Sequence, residues 1–195
     1  MNLRLKALDI FFPPSIRNEQ FRQLVRLTAN AFQKEPPDLS GLAFDDALRT
    51  YALFTRDEVL RSPEKSPLIK DRLFNGGCDL GRKARSSLKL RTKEDVLNAA
   101  RILYRTIGID FCGHVSGDIV VTQCFFSSFY TYGVCKTMAS LDEGVFAGLS
   151  GGGVFRFSLT ITEKNDSCRG TLTFEETKNE TRNSRGYRCW WCNSR

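Results

Sequence analysis

The chain has 195 residues, 41% of them hydrophobic, with fifteen Phe, seven Cys and a formal charge of +7. That is enough apolar material for a core without disulfide staples, while no apolar run has the length of a membrane span and Asp9 with Pro13-Pro14 breaks up the segment that would have to serve as a signal core. The basic excess sits largely in Gly81–Lys93 and Arg182–Arg195, matches no nucleic-acid motif and reads as solvated surface, so the expectation is a cytoplasmic protein with no specific nucleic-acid partner and no membrane partner, open to homo-oligomer formation.

The first half is helical in pattern. Ser15 is placed to cap a helix over 16–33, in which Phe21, Leu24, Val25, Thr28, Ala31 and Phe32 share one stripe. Pro36-Pro37 ends it. A second helix is expected from Phe44 to Leu60, with Phe44, Leu48, Tyr51, Ala52 and Val59 inward. "LIKDRLF" (Leu68–Phe74) reads as a short helix closed by Gly76-Gly77, with a further helical piece after Cys78. Thr92 and Asp95 stand at capping-box spacing before a stripe of Val96, Ala99, Ala100, Leu103, Tyr104 and Ile107, and Gly108 suits a left-handed cap.

The period then changes. "DIVVTQCFF" (Asp118–Phe126) is strand-like. A helix from Tyr132 to Leu149 follows, then "VFRFSLTIT" (Val154–Thr162), expected to put Phe155, Phe157, Leu159 and Ile161 on one face. "EKNDS" turns the chain back into a strand over Cys168–Glu176, with Cys168 facing the core. The expected class is α+β: N-terminal helices followed by an antiparallel sheet interrupted by one helix. One α+β domain covers 1–176, divided into a helical part (1–91) and an α+β part (92–176), with a basic tail at 177–195.

On the helix inside the sheet, Cys135, Met138, Asp142, Val145 and Leu149 repeat at spacings of three and four. Seven residues turn about 700°, so Cys135 and Asp142 fall within about 20° of each other. An acid on an otherwise apolar stripe must be paired, hydrogen-bonded, protonated or open to a cavity. Its ordinary fate would be a pair with Arg101, Arg105 or Lys136. Its functional fate would be a polar site shared with Cys124, Cys135 and Cys168.

Here a family likeness enters. "CFFSSFYTYGVCKTMASLDEGVFAGL" with "FRFSLTITEKNDSCRGTLTF" resembles the L-2-amino-thiazoline-4-carboxylic acid hydrolase family. The shared pattern is a strand-end Cys, a Cys opening a helix, an Asp seven residues on, and a hairpin carrying a Cys: Cys124, Cys135, Asp142 and Cys168. Phe125 stands where the family commonly has Pro. The same half is similar to four-vinyl reductase domains, which bind small molecules.

The resemblance implies two functions. One is hydrolytic ring opening of a small cyclic amidine of the 2-aminothiazoline-4-carboxylate type, with Cys124, Cys135, Asp142 and Cys168 as catalytic residues. Either a thiolate favoured by the helix N-terminus attacks, or Cys124, Cys135 and Cys168 hold Zn²⁺ and Asp142 is the base for its water. Phe126 and Met138 would line the ligand, and Arg156 would receive its carboxylate. His114, the lone His, reads as a loop residue. The alternative is a non-catalytic module sensing a small molecule or metal. The tail pair in "CWWC" (Cys189–Cys192) lacks the second pair a zinc ribbon needs.

Overall fold

The structure, a computed structural model, describes residues 2–174. The tail at 177–195, its CWWC pair, and the last two residues expected in the final strand lie outside the described residues. Six helices and four strands follow one another as α1 (Leu3–Ile10), α2 (Pro14–Phe32), α3 (Phe44–Arg61), α4 (Ser66–Leu88), α5 (Lys93–Arg105), β1 (Ile109–Gly113), β2 (Asp118–Cys124), α6 (Tyr132–Ser150), β3 (Val154–Leu159) and β4 (Cys168–Thr173). The α+β class is therefore observed, with helices preceding an antiparallel sheet that α6 interrupts. None of the described helices is long and apolar enough to cross a membrane.

The sheet runs β1-β2-β4-β3, every neighbouring pair antiparallel. Its inner face comes from alternate residues, as a pleated strand requires: Ile109 and Phe111, Ile119 and Val121, Phe155, and Cys168, Gly170 and Leu172. These join a connected apolar core with buried residues of all six helices, from Leu5 to Leu172.

Several sequence expectations change in physical detail. Helix α2 begins at Pro14 with Pro13 at its cap position and no side-chain cap, so Ser15 is inside the helix rather than capping it. The Thr92–Asp95 capping box of α5 forms as read, with the Thr92 hydroxyl accepting from Asp95 N–H at 3.1 Å. Strand β3 stops sooner than expected. Phe157 opposes Gly170 and Leu159 opposes Arg169, so Ser158 is an extra residue on that strand. Such a bulge breaks the alternation: Leu159 turns out to solvent, and Ile161 enters a 3₁₀ turn (Ile161–Glu163).

The largest correction concerns Gly76-Gly77. They do not close a short helix; α4 runs through them for 23 residues. Gly76 packs instead against the Leu27 side chain of α2, and Gly77, with Gly81 one turn on, serves close packing against α6. A Cβ on Gly77 would lie 2.4 Å from the carbonyl oxygen of Leu141, and one on Gly81 2.3 Å from that of Val145. From the other side, Cβ atoms on Gly144 and Gly148 would meet the oxygens of Phe74 and Cys78 at 2.1 and 2.3 Å. Four glycines at spacings of four residues thus let the two backbones touch. This contact fixes α6, and with it Asp142, against the helical layer.

Candidate functional site: a cavity with one acidic pole

Helices α2 to α6 and the turn after β2 surround a cavity of about 670 Å³, within the size range of ordinary ligand sites. Its wall is mainly apolar: Phe21 and Leu24 from α2, Leu80 from α4, and Met138 and Val145 from α6. Exposed residues of α2 and α4, including Ser15, Ile16, Glu19 and Lys83, mark its mouth. Away from that mouth the polar groups are few: Asp142, Tyr104, Tyr51, Tyr130, Cys124 and Cys135.

Among the described residues, one hydrogen bond holds the Asp142 side chain. The Tyr104 hydroxyl donates to its Oδ1 at 2.7 Å. The Tyr104 ring is itself fixed by a three-ring cluster with Phe111 and Phe146, whose centroids lie 5.7 and 5.8 Å from it and 5.6 Å from each other. The Asp142 side chain is enclosed by protein yet keeps some surface open to the cavity. Loss of water pushes its carboxyl up to about 7, against the lowering effect of the Tyr104 hydrogen bond and with help from the nearby Glu143 charge. The same burial, reinforced by the carboxylate, raises Tyr104 well above the ordinary phenol range.

The cations that could have neutralised Asp142 are engaged elsewhere. Arg101 and Arg105 pair with Asp9 at 2.7 and 3.1 Å, and Lys136 lies over the Tyr132 ring at 5.7 Å. The acid therefore takes the hydrogen-bonded, cavity-facing state.

Cys78, Cys124, Cys135 and Cys168 are free thiols, and the last three were expected at the site. Cys124, at the end of β2, is pushed up to about 12, chiefly by burial. Cys135, in the first turn of α6, is pushed up to about 11 for the same reason. The helix N-terminus beneath Cys135 does not yield a thiolate, because desolvation of the sulfur outweighs it and the Asp142 charge adds to the rise.

The structure thus brings Cys124, Cys135, Asp142, Phe126 and Met138 to one cavity. Two expected residues lie apart from it. Cys168 faces the core from β4, its Sγ accepting from the Ile161 N–H at 3.3 Å, and burial raises its pKa too. Arg156 is exposed and pairs with Glu143 at 2.7 Å rather than pointing at the cavity. His114 lies in the β1–β2 turn beside Ser116, Nδ1 to Oγ 2.8 Å. Among the described residues no group of three or more His, Cys, Asp or Glu is arranged to hold a metal ion. The Zn²⁺ set of Cys124, Cys135 and Cys168 is therefore not assembled among the described residues, although Cys135 and Cys168 both lie beside the Ile161–Glu163 turn.

Tyr104 is the residue that sequence reasoning missed. Its place on the α5 stripe marked it as core, and nothing in α5 alone shows that its hydroxyl meets a residue 38 positions away. Phe21, Leu24 and Tyr51 were likewise read as core, yet line the cavity.

Comparison of the chain with protein-family models, with curated proteins and with solved structures finds no match.

Proposed function

We propose that this chain is a binding module for a small, mainly apolar molecule with one polar end. The observation that carries the reading is the pairing of Tyr104 with Asp142 at the enclosed end of a cavity whose walls are otherwise apolar. Apolar walls reward removal of hydrocarbon from water, and a few fixed polar groups orient it. The neutral thiols of Cys124 and Cys135 fit this reading as polarizable wall rather than as nucleophiles.

The test is titration with the neutral, environment-sensitive dye Nile red. Saturable emission enhancement at one dye per chain is expected, with loss in Ala139→Trp, which fills the cavity from α6. Ala84→Trp fills it from α4 and guards against a folding defect in the first variant. Absence of saturable binding to the wild-type chain would overturn the reading.

A second reading, hydrolysis of a cyclic amidine, is favoured by one observation: a carboxyl titrating at about 7 suits proton transfer at neutral pH. In that reading Asp142, not a thiol, takes the proton from the water that adds to the amidine carbon, and returns it to the ring sulfur as the bond between that carbon and the sulfur breaks, leaving a carbamoyl group and a thiol. Assay of 2-aminothiazoline-4-carboxylate tests it. Turnover lost in Asp142→Asn but kept in Cys135→Ser supports it, and no turnover by wild type rejects it.

A further inference from the structure

We propose that the polar end of the ligand is a protonated nitrogen, an ammonium or amidinium on an apolar body, whose N–H groups meet the open oxygen of Asp142. This rests on the binding reading above and gives it a ligand class.

Charge comes first. Of the charged side chains that line the cavity among the described residues, Glu19 and Lys83 are exposed at its mouth, and Asp142 alone lies at the enclosed end. A cation arriving there meets an opposite charge. A carboxylate or phosphate would meet a like charge, and among the described residues Arg101, Arg105 and Lys136 are engaged elsewhere.

Hydrogen-bond inventory points the same way. Asp142 Oδ1 takes the Tyr104 proton, whereas Oδ2 accepts no hydrogen bond from the described residues. The enclosed end therefore has a free acceptor. Its tyrosine hydroxyls are already committed. Tyr104 gives its proton to Asp142. The Thr55 hydroxyl donates to the Tyr51 and Ala52 carbonyls at 3.1 and 3.0 Å, so in its 2.5 Å contact with Tyr130 the tyrosine is the donor. Thr28 likewise spends its proton on the Leu24 and Val25 carbonyls, leaving it to accept from the neighbouring Tyr51 hydroxyl. Besides the Gln20 amide on α2, what remains among the described residues are the weak S–H donors of Cys124 and Cys135. An acceptor-only head would find few strong donors there among the described residues, while an N–H head finds an Asp142 oxygen that accepts no hydrogen bond from them.

Energetics favour pairing. An ammonium held by a carboxylate makes short, charge-assisted hydrogen bonds, and a ligand that brings its own cation relieves the cost of keeping Asp142 ionised away from water. The apolar wall of Phe21, Leu24, Leu80, Met138 and Val145 then receives the hydrocarbon.

The experiment compares three eight-carbon competitors against Nile red on the wild-type chain at pH 8: octylamine, 1-octanol and octanoate. Octylamine is expected to displace the dye at concentrations at least about tenfold below 1-octanol, with octanoate the weakest. In Asp142→Asn the ratio of octylamine to 1-octanol should fall to about one; Asp142→Ser provides the same comparison if the first variant folds poorly. Equal potency of amine and alcohol on wild type, stronger displacement by octanoate, or a preference that survives in the variants would overturn the inference while leaving the binding reading standing. No dye binding at all would remove the binding reading and this inference with it.

Discussion

The Tyr104 hydroxyl, 2.7 Å from Asp142 Oδ1, is the one hydrogen bond that the enclosed acid receives from the described residues. It joins α5 to α6, and it is the interaction that favours the ionised carboxyl against burial. Removing it isolates its effect. In Tyr104→Phe the ring keeps its place against Phe111 and Phe146, so Asp142 should titrate above its present value of about 7. At pH 8 the variant should also be less stable by about 1–2 kcal/mol. Carbon-detected NMR titration of the side-chain carboxyl reads the first effect and urea unfolding the second; an unmoved titration would mean that the hydroxyl does not support the charge.

Asp142 also makes a signed prediction for stability against pH. Its folded pKa, about 7, lies above the ordinary carboxylate range. Between about pH 4 and pH 7 the folded chain keeps a proton that the unfolded chain has released, so this group's contribution to stability falls as pH rises and levels off above about 7. The titratable neighbours Tyr104, Cys124, Cys135 and Glu143 remain in both proteins being compared. Asp142→Asn removes the slope: relative to wild type, it should gain on the order of 4 kcal/mol on going from pH 4 to pH 8. Denaturant midpoints for both proteins across that range check it, and parallel profiles would contradict it.

The α4–α6 contact predicts opposite outcomes for the same substitution at two glycines. In Gly148→Ala the new methyl would sit 2.3 Å from a backbone oxygen of Cys78, and neither helix can yield without moving the other. A loss of about 3 kcal/mol or more, or failure to fold, is expected. Gly133, in the first turn of α6, has open space where a Cβ would go. Gly133→Ala should gain about 0.5 kcal/mol from helix propensity. Thermal unfolding of the two variants side by side measures the contrast.

Thiol reactivity separates wall from nucleophile. With Cys124 and Cys135 pushed up to about 12 and 11, their thiolate fractions at pH 7.5 are far below that of an ordinary cysteine. Both should react with a thiol-disulfide reagent at least about tenfold more slowly than the unfolded chain. Site-resolved labelling by mass spectrometry gives the rates. A fast Cys135 would restore the nucleophilic mechanism that the buried sulfur now argues against.

Much of the scaffold was legible in the sequence because it is governed by short-range rules. The Thr92–Asp95 box, the apolar stripes of α2, α3 and α5, the strand character of Asp118–Cys124 and the inward parity of Cys168 and Leu172 each follow from a few neighbouring residues. The anomaly at Asp142 was legible too, since an acid on an apolar stripe is visible from spacing alone.

Other features depend on what an element packs against. Gly76-Gly77 look like a helix stop locally, but within α4 Gly76 packs on Leu27 of α2 and Gly77 is part of the surface on which α6 rests. The alternation of Val154–Thr162 promised four inward residues, and the bulge at Ser158 took Leu159 and Ile161 off that face. Cys168 and Arg156 fell away from the cavity because one turned to the Ile161 N–H and the other to Glu143. The sequence by itself determined that an acid and two thiols share a helix or its approaches. Only the tertiary structure decided that Tyr104 holds that acid, that burial leaves the thiols protonated, and that space remains beside them. Solvent exclusion and contacts across tens of residues set those properties, and no local periodicity encodes either.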